Sequence, residues 1–348
     1  MVDGHGRRSP PPPRAARVLL SGIVDYAGLF PPAALTMWSA VQNYAAYRSG
    51  VDAWALGRFV APAVRLHELA TAIAGLDPEG TFTGWRVSAL LENDLEGDLE
   101  RVRVFNAGPE AAHRAIAVDS LELKGWGEEQ IRRALETVAS GLPSRIEIYV
   151  ELPLGGEPGK AAGPERRETG VNVPVEPGEL IASGLLRLIR DAGGCAKVRT
   201  GGVRPELFPR PEALLRFLRG CAEADLPFKA TAGLHHPITG RYPLTYEADS
   251  ARATMYGYLD LLFAAALILR GAPDNLVLEA LRESNIASFH LGEEAAAWRE
   301  QRLTLDEVRR VRERSLVSFG SCSFREPLDE LAPLTLGASS RSEREAAP

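Results

Sequence analysis

Cysteine is scarce in this chain: three of its 348 residues are cysteines, and they stand far apart. Cys195, Cys221 and Cys322 show no C-x-x-C spacing, which argues against a structural zinc site and against a dense disulfide framework. Isolated thiols of this kind are typical of a reducing compartment. The sequence therefore predicts free cysteines in a cytoplasmic protein.

Long apolar runs and blocks of positive charge are also lacking. The most apolar helix candidate, residues 255–269, includes Asp260 and is shorter than the roughly 20 residues that a membrane-spanning helix needs. The net charge is −6 and no basic block offsets it, which argues against a nucleic-acid partner. No clean apolar segment follows the proline-rich start, so we expect neither a signal peptide nor a membrane partner.

Strand-like and helix-like segments alternate through the rest of the sequence. No G-x-G-x-x-G follows the first strand-like run and no P-loop motif occurs, so the usual nucleotide-binding signals are missing. The alternation predicts an α/β fold with a parallel sheet. Eight repeats favour a single (β/α)8 TIM barrel over residues 17–336, with disordered tails at 1–16 and 337–348; a doubly wound open sheet is the alternative. The predicted strands lie in "RVLLSGIVDYAG", "RFVAPA", "WRVSALLEN", "AIAVDSLEL", "RIEIYVELPL", "CAKVRTGG", "FKATAGLHH" and "IASFHLG".

Two segments stand outside this alternation. Residues 155–178 are rich in Gly and Pro and follow the fifth predicted strand, which in a barrel places them over the active-site face, as a lid or as an insertion. The segment "SFGSCSFREPLDEL" at 318–331 is expected to dock on the barrel through Phe319 and Phe324.

Charged residues share one face of several predicted strands. Strand side chains alternate between the two faces, and the face towards the helices is almost entirely apolar. Burying an unpaired charge costs on the order of several kcal/mol. The charged residues on the opposite face must therefore form ion pairs or bind a ligand. The face predicts an ion-pair layer or a functional site, and its members are Asp25, Arg86, Asp119, Glu151, Lys197, Arg199 and Lys229.

Two of these residues are lysines at matching positions in the sixth and seventh predicted strands. A lysine is nucleophilic only when neutral, and burial or a second cation nearby favours the neutral form. Neighbouring parallel strands lie about 4.8 Å apart, so Lys197 and Lys229 are expected to be close, with Arg199 adding positive field. This arrangement favours Schiff-base formation with a carbonyl substrate.

The two strands resemble those of the class I (Schiff-base) deoxyribose-phosphate aldolases, which carry K-x-x-T-G on the sixth strand and K-x-x-G-G on the seventh. "KVRTG" at 197–201 matches the first pattern, and "KATAG" at 229–233 matches the second except at Ala232. The resemblance covers about a dozen residues. It implies a barrel in which Lys197 forms the Schiff base and Lys229 tunes its pKa, with an acid/base carboxylate from an earlier strand. Strand parity, not a motif, nominates Asp119 for that carboxylate, with Glu151 as the alternative.

Substrate binding is expected just beyond these strands. Glycines there leave backbone N–H groups for a phosphate or carboxylate, or simply form tight turns, and Arg199 is suited to hold the same anion. One histidine of the adjacent pair is expected to hold a proton, bind a metal or simply hydrogen-bond in a loop. The expected substrate-binding residues are Asp25, Arg199, Thr200, Gly201, Gly202, Thr231, Gly233, His235 and His236.

Three hypotheses of function follow. The first is a lyase of aldolase type that acts on a small carbonyl compound bearing a phosphate or carboxylate, without a cofactor. The second is a lyase or isomerase that uses a divalent metal held by Asp25, Glu151 and either His235 or His236. The third is a barrel that binds a sugar phosphate or organic acid without turnover. The sequence leaves a homo-oligomer open.

Overall fold

The structure is a computed structural model that describes residues 11–92, 94–124, 128–141, 146–152, 154, 183–331 and 334. The predicted loop at 155–178 and the predicted tail at 337–348 lie outside the described residues, as do residues 1–10 of the other tail. The strands are β1 (Val24–Tyr26), β2 (Leu56–Pro62), β3 (Arg86–Leu90), β4 (Ala117–Lys124), β5 (Glu147–Leu152), β6 (Cys195–Arg199), β7 (Phe228–Thr231), β8 (Gly240–Pro243), β9 (Arg252–Met255), β10 (Phe289–Leu291), β11 (Ala295–Trp298), β12 (Gln301–Thr304) and β13 (Leu316–Ser321). The α-helices are α1 (Arg14–Leu20), α2 (Met37–Arg48), α3 (Leu66–Leu76), α4 (Leu95–Ala107), α5 (Pro109–Arg114), α6 (Glu128–Gly141), α7 (Ser183–Asp191), α8 (Pro211–Glu223), α9 (Tyr258–Leu269), α10 (Asp274–Leu281), α11 (Leu305–Arg314) and α12 (Arg325–Asp329).

Eight parallel strands close into a barrel, which confirms the predicted (β/α)8 fold. Strands β1 to β7 follow one another around the barrel, and β13 pairs with both β7 and β1 to close it. Helices follow the strands on the outside, as the right-handed crossover between parallel strands requires. The doubly wound open sheet is thereby excluded.

The apolar faces of strands and helices meet in one continuous core. Helix α9 shows this most clearly, because every residue from Tyr258 to Ile268 is buried. It packs against α8, α10 and α11, so the apolar run noted in the sequence is an internal helix. Gly257 precedes it and lies against the segment after β7, where an added Cβ would be 2.3 Å from the Cα of Ile238.

The eighth barrel strand differs from the prediction. The segment "IASFHLG" supplies β10, which pairs antiparallel with β11 in a three-stranded sheet outside the barrel, and β13 takes the predicted place. Charged residues continue along α11 to Arg314, and β13 begins two residues later at Leu316. The sequence pattern therefore predicts a helix that continues into the segment that forms this strand. Ser315, with φ −135° and ψ −107°, ends the helix and begins the strand within one residue.

The first predicted strand and the first tail are corrected at the start of the chain. "RVLLSGIVDYAG" divides into the end of α1 and the short strand β1. Residues 14–16, expected in a disordered tail, belong to α1, where Ala15 and Ala16 are fully buried. No helix within the described ranges has the length and apolar character needed to cross a membrane.

Candidate active site

Asp119 lies at the amino-terminal end of the barrel, in an ion-pair group. Its carboxylate accepts hydrogen bonds from Arg58 Nε at 2.7 Å and Arg86 Nε at 2.5 Å. Arg58 also pairs with Glu147 at 2.8 Å. Arg86 and Glu147 are the first residues of β3 and β5, so this ion-pair group lies where the barrel strands begin. The prediction that Asp119 is the acid/base carboxylate beside Lys197 is therefore wrong, because Asp119 lies at the end of the barrel away from the pocket.

An irregularity in β4 explains this error. Val87 of β3 pairs with Val118, but the next residue, Ser88, pairs with Ser120, so β4 holds one extra residue at Asp119. A bulge of this kind reverses which residues face inward beyond it. Glu122 therefore points into the barrel, although strict alternation from Asp119 would turn it outward.

Glu122 joins the two lysines. Lys197 and Lys229 are direct partners across β6 and β7, as the sequence predicted. Lys197 Nζ lies 2.7 Å from Glu122 Oε2, and Lys229 Nζ lies 2.5 Å from Glu122 Oε1. All three side chains are buried. One carboxylate thus accepts from both ammonium groups.

Each lysine has a second carboxylate of its own. Glu151 Oε2 lies 2.7 Å from Lys197 Nζ, and Asp25 Oδ2 lies 2.7 Å from Lys229 Nζ. Glu151 also accepts from Arg199 Nε at 3.2 Å. Three carboxylates therefore face three cations in one connected network, which we call the lysine–carboxylate network: Asp25, Glu122, Glu151, Lys197, Lys229 and Arg199.

Hydrogen bonds from neighbouring strands fix this network. Ser318 Oγ donates to Asp25 Oδ2 at 2.9 Å, and the backbone N–H of Arg58 donates to Asp25 Oδ1 at 2.7 Å. Ser88 Oγ donates to Glu122 Oε1 at 2.7 Å. Asp25 and Glu122 are therefore held by groups on the barrel strands β2, β3 and β13 as well as by the lysines.

The electrostatics of the network stabilise the charged forms. Burial alone would raise the pKa of Glu122, but Lys197 and Lys229 outweigh it and hold that pKa well below its usual value. Burial would lower the pKa of Lys229, but attraction to Asp25 and Glu122 outweighs it and raises the pKa. The second lysine and burial favour a neutral lysine, as the sequence predicts, but for Lys229 the attraction of the two carboxylates is the larger effect.

A pocket of about 420 Å³ opens at the carboxyl ends of the strands, the face that carries the active site in TIM-barrel enzymes. Glu122, Lys197 and Lys229 reach it from inside the barrel. Its wall comes from the barrel strands β2, β3, β6, β7 and β13, from the segments after β1, β6, β7 and β13, and from the β8–β9 hairpin: Ala27, Phe30, Pro31, Pro32, Val60, Leu90, Arg199, Gly202, Val203, Leu207, Thr231, Ala232, Gly233, His235, His236, Pro243, Leu244, Thr245, Tyr246, Met255, Gly320, Cys322 and Glu326.

The predicted anion-binding residues divide into two groups. Arg199, Gly202, Thr231 and Gly233 line the pocket, and the Arg199 side chain is 45 % exposed. Thr200 is fully buried and its hydroxyl donates to the Ala232 carbonyl at 2.5 Å.

Gly201 packs against Phe208, whose ring an added Cβ would meet at 2.3 Å. It thus serves the packing of the loop, and Thr200 likewise serves the loop and not a ligand.

The two histidines after β7 have different partners. His235 Nδ1 donates to Glu326 Oε2 at 3.0 Å, and both of its ring nitrogens lie within 4.0 Å of Cys322 Sγ. His236 stacks on Tyr242 with ring centroids 3.4 Å apart and contacts Glu330 at 2.9 Å.

The alternative metal ligands are not brought together. Asp25 and Glu151 are held by the lysines. His235 contacts Glu326 on α12, and His236 contacts Glu330, which directly follows α12. Throughout the part of the chain that the structure describes, no three His, Cys, Asp or Glu side chains are grouped to hold a metal ion. The prediction of a metal site formed by Asp25 and Glu151 with His235 or His236 is therefore wrong, because these side chains have other partners.

Sequence reasoning missed Glu122 and Glu326. Glu122 stands in the apolar run "SLEL", which reads as an ordinary buried strand, and Glu326 is about 90 residues from the histidine that it contacts. Lysine scarcity was a usable signal: the chain has four lysines, and two of them are buried side by side in the barrel. A buried lysine needs a carboxylate, and the search for one leads to Glu122. The four lysines are Lys124, Lys160, Lys197 and Lys229.

Comparisons of the chain with protein-family models, with curated proteins and with solved structures found no match.

Proposed function

We propose that the protein is a lyase of aldolase type that binds a small anionic carbonyl compound as an imine of Lys197. The observation that carries this proposal is the contact of Lys197 and Lys229 with one carboxylate, Glu122, at the inner end of a pocket. An imine-forming amine needs a nearby acceptor for its proton, and Glu122 lies 2.7 Å from it.

Both lysines line the pocket and each contacts two carboxylates, but their other neighbours differ. Lys229 is fully buried, held between Asp25 and Glu122, and its Nζ lies 5.7 Å from the ring centroid of Tyr149. Lys197 lies on the same strand as Arg199, which reaches the pocket with an exposed guanidinium. Lys197 is therefore the proposed nucleophile, and Lys229 positions Glu122.

The first step of the proposed reaction is imine formation at Lys197. The ammonium group gives one proton to Glu122, and the neutral nitrogen adds to the carbonyl carbon. The carbonyl oxygen takes two protons and leaves as water while the C=N bond forms. Glu122 returns its proton to the imine nitrogen, which makes the iminium an electron sink. The bond between the α and β carbons then breaks, its electron pair forms the C=C bond of an enamine, and the β-hydroxyl gives its proton to Glu122 and becomes the carbonyl of the first product. Protonation of the enamine carbon and hydrolysis by water release the second product.

The carboxylates have separate proposed roles. Glu122 lines the pocket and is the proposed proton acceptor. Its lowered pKa keeps it deprotonated before substrate binds, and the loss of the Lys197 charge on imine formation removes part of the cause of that lowering. Glu151 holds Lys197 and Arg199 at a fixed spacing, which suits a substrate whose anionic group and carbonyl lie a few atoms apart. Arg199 supplies the charge for a phosphate or carboxylate. A cytoplasmic location stays a prediction, in keeping with free thiols at all three cysteines.

Borohydride trapping tests the proposal. The protein is incubated with small keto acids, aldehydes and sugar phosphates, reduced, and analysed by intact mass and peptide mapping. We expect one adduct at Lys197, absent in Lys197→Ala, while the matched control Lys124→Ala, at the exposed end of β4, keeps it. Turnover of the trapped ligand to two products identifies the lyase.

Two outcomes would contradict the proposal. Full turnover by Lys197→Ala would show that the reaction does not proceed through an imine of Lys197. Thermal stabilisation by one of these ligands with neither adduct nor product would instead support the non-catalytic binding barrel.

A further inference from the structure

A second reactive group lies in the same pocket, at the end of β13. Cys322 Sγ is 3.9 Å from Nδ1 and 4.0 Å from Nε2 of His235. Glu326 on α12 accepts from His235 Nδ1 at 3.0 Å, and Tyr246 OH lies 3.5 Å from the sulfur. A thiol, an imidazole and a carboxylate therefore form a connected series, which is the arrangement that activates cysteine nucleophiles.

All three members of this series line the pocket, so a small molecule that enters it meets the sulfur. The other two cysteines differ. Cys221 is buried in α8 and Cys195 begins β6, and the pocket wall includes neither of them. The chain thus carries its own unactivated thiols for comparison.

We propose that Cys322 is a thiolate nucleophile, paired with the His235 imidazolium and positioned by Glu326, that adds to the carbonyl carbon of small aldehydes in the pocket. The sulfur lone pair forms the C–S bond, and the carbonyl π pair becomes a lone pair on oxygen. His235 gives its Nε2 proton to that oxygen, which yields a thiohemiacetal. The step needs no oxidant or reductant, reverses by the same route, and does not depend on an imine at Lys197.

The electrostatics agree with this geometry. Burial would raise the pKa of Cys322, but the hydrogen bond and charge of His235, with hydrogen bonds from Tyr246 and the Ala33 backbone, outweigh it and lower the pKa. Burial would lower the pKa of His235, but Cys322 and Glu326 outweigh it and raise the pKa to about 9. By contrast, burial raises the pKa of Cys195 to about 11.

The ion pair exists between these two titrations. Below the lowered pKa of Cys322 the sulfur is a thiol, and above about pH 9 the imidazolium loses its proton. Other titratable groups face the pair from β1, the segment after β7, the β8–β9 hairpin, α12 and the residue after α12: Tyr26, His236, Tyr246, Glu326 and Glu330.

Alkylation by iodoacetamide, followed by peptide mass analysis across pH 5–10, tests the nucleophile. We expect Cys322 to react at pH 7 about tenfold faster than a free cysteine, whose pKa is about 8.5, and Cys195 and Cys221 to react more slowly than that reference. His235→Ala should lower the Cys322 rate at pH 7 about tenfold and move the midpoint of the profile upward. Glu326→Gln, which keeps the shape of the side chain, should move it in the same direction by less. His67→Ala, on the exposed face of α3 and outside the pocket, is the matched control.

Protection by glyoxylate, a small anionic aldehyde, tests the addition. It should slow alkylation of Cys322 in both the wild type and Lys197→Ala, so protection cannot arise from an imine. Equal rates at Cys322 and Cys195, a midpoint that neither His235→Ala nor Glu326→Gln moves, or no protection in Lys197→Ala would each overturn the inference. Failure of the Lys197 imine alone would leave these three readouts unchanged.

Discussion

Glu122 is the residue on which both buried lysines depend. It accepts from Lys197 and Lys229 at once, and Ser88 holds it in place. Removing its charge leaves two buried ammonium groups with one carboxylate each. Breaking a buried ion pair by removing one partner costs about 3–5 kcal/mol, and losing a general acid/base costs about a hundredfold or more in rate.

We therefore expect Glu122→Gln to lower the free energy of unfolding by about 3–5 kcal/mol and the rate of imine trapping at least a hundredfold. Urea unfolding and timed borohydride quenching measure the two effects. Asp119→Asn is the matched control, because it removes a carboxylate at the other end of the barrel. It should cost stability but leave trapping within a factor of about two; a large loss of trapping there would contradict the placement of the site.

Individual residues also show how far the sequence could lead. Lys197, Lys229 and Arg199 were placed correctly because lysine within a strand is unusual and because their strands lack irregularities in the pairing of β6 with β7. Asp119 was misplaced because a bulge has no signature in the sequence. The contacts of His235 with Cys322 and Glu326 join segments about 90 residues apart, so only the closed barrel reveals them.

At the scale of elements, the packing of α9 depends on Gly257. An added Cβ would lie 2.3 Å from the Cα of Ile238 and 2.4 Å from the Pro237 carbonyl oxygen, and both are backbone atoms that cannot rotate away. These two residues directly follow His235 and His236, and the carbonyls of His236 and Pro237 accept hydrogen bonds from the first two backbone N–H groups of α9. A change at this contact therefore reaches the pocket.

We expect Gly257→Ala to destabilise the protein by about 1–3 kcal/mol, the usual cost of overpacking. Chemical unfolding measures it. Gly184→Ala in α7 is the control, since an added Cβ there meets nothing within 4 Å and alanine favours a helix. Equal stability of the two variants would show that the segment after β7 yields easily.

The elements themselves were largely predictable. Seven barrel strands overlap their predicted segments, and β2 and β4 extend beyond them by one or two residues. The overlap arises because apolar strands and amphipathic helices have different periods. The eighth was misassigned because two apolar runs compete for one place, and choosing between them needs the pairing of β13 with β1 and β7. Local pattern does not contain that long-range information.

The molecule as a whole should be sensitive to acid. Glu122 and Glu151 have lowered pKa values because of their lysine and arginine partners. Despite burial, hydrogen bonds lower the pKa of Asp77 to about 2, and those from Arg270 and Thr304 do the same for Glu307. A carboxylate whose pKa is lower in the folded state stabilises the fold above its unfolded pKa, near 4, and loses that contribution as the pH falls through the folded value.

We therefore expect the thermal midpoint to stay nearly constant from pH 7 to 5 and to fall steeply between about pH 4 and 2. Circular dichroism melts at constant ionic strength measure it. Glu122→Gln should flatten part of this slope, because it removes one of the titrating groups. A midpoint that does not change down to pH 2 would contradict the charged state of the network.

The position of β13 at the seam has a consequence for how the protein is made. During synthesis β1 leaves the ribosome almost 300 residues before β13, and Ser318 must find Asp25 across 293 positions of chain. Until then a sheet of seven strands exposes the edges of β1 and β7, which invite pairing with other chains. Arg312 then fastens the seam by donating to the carbonyls of Leu316 and Ser21. Cys322 directly follows β13, so the pocket of the nascent protein is incomplete until this strand is in place. The Cys322 thiol and the His235 imidazole therefore come into contact only when the barrel closes.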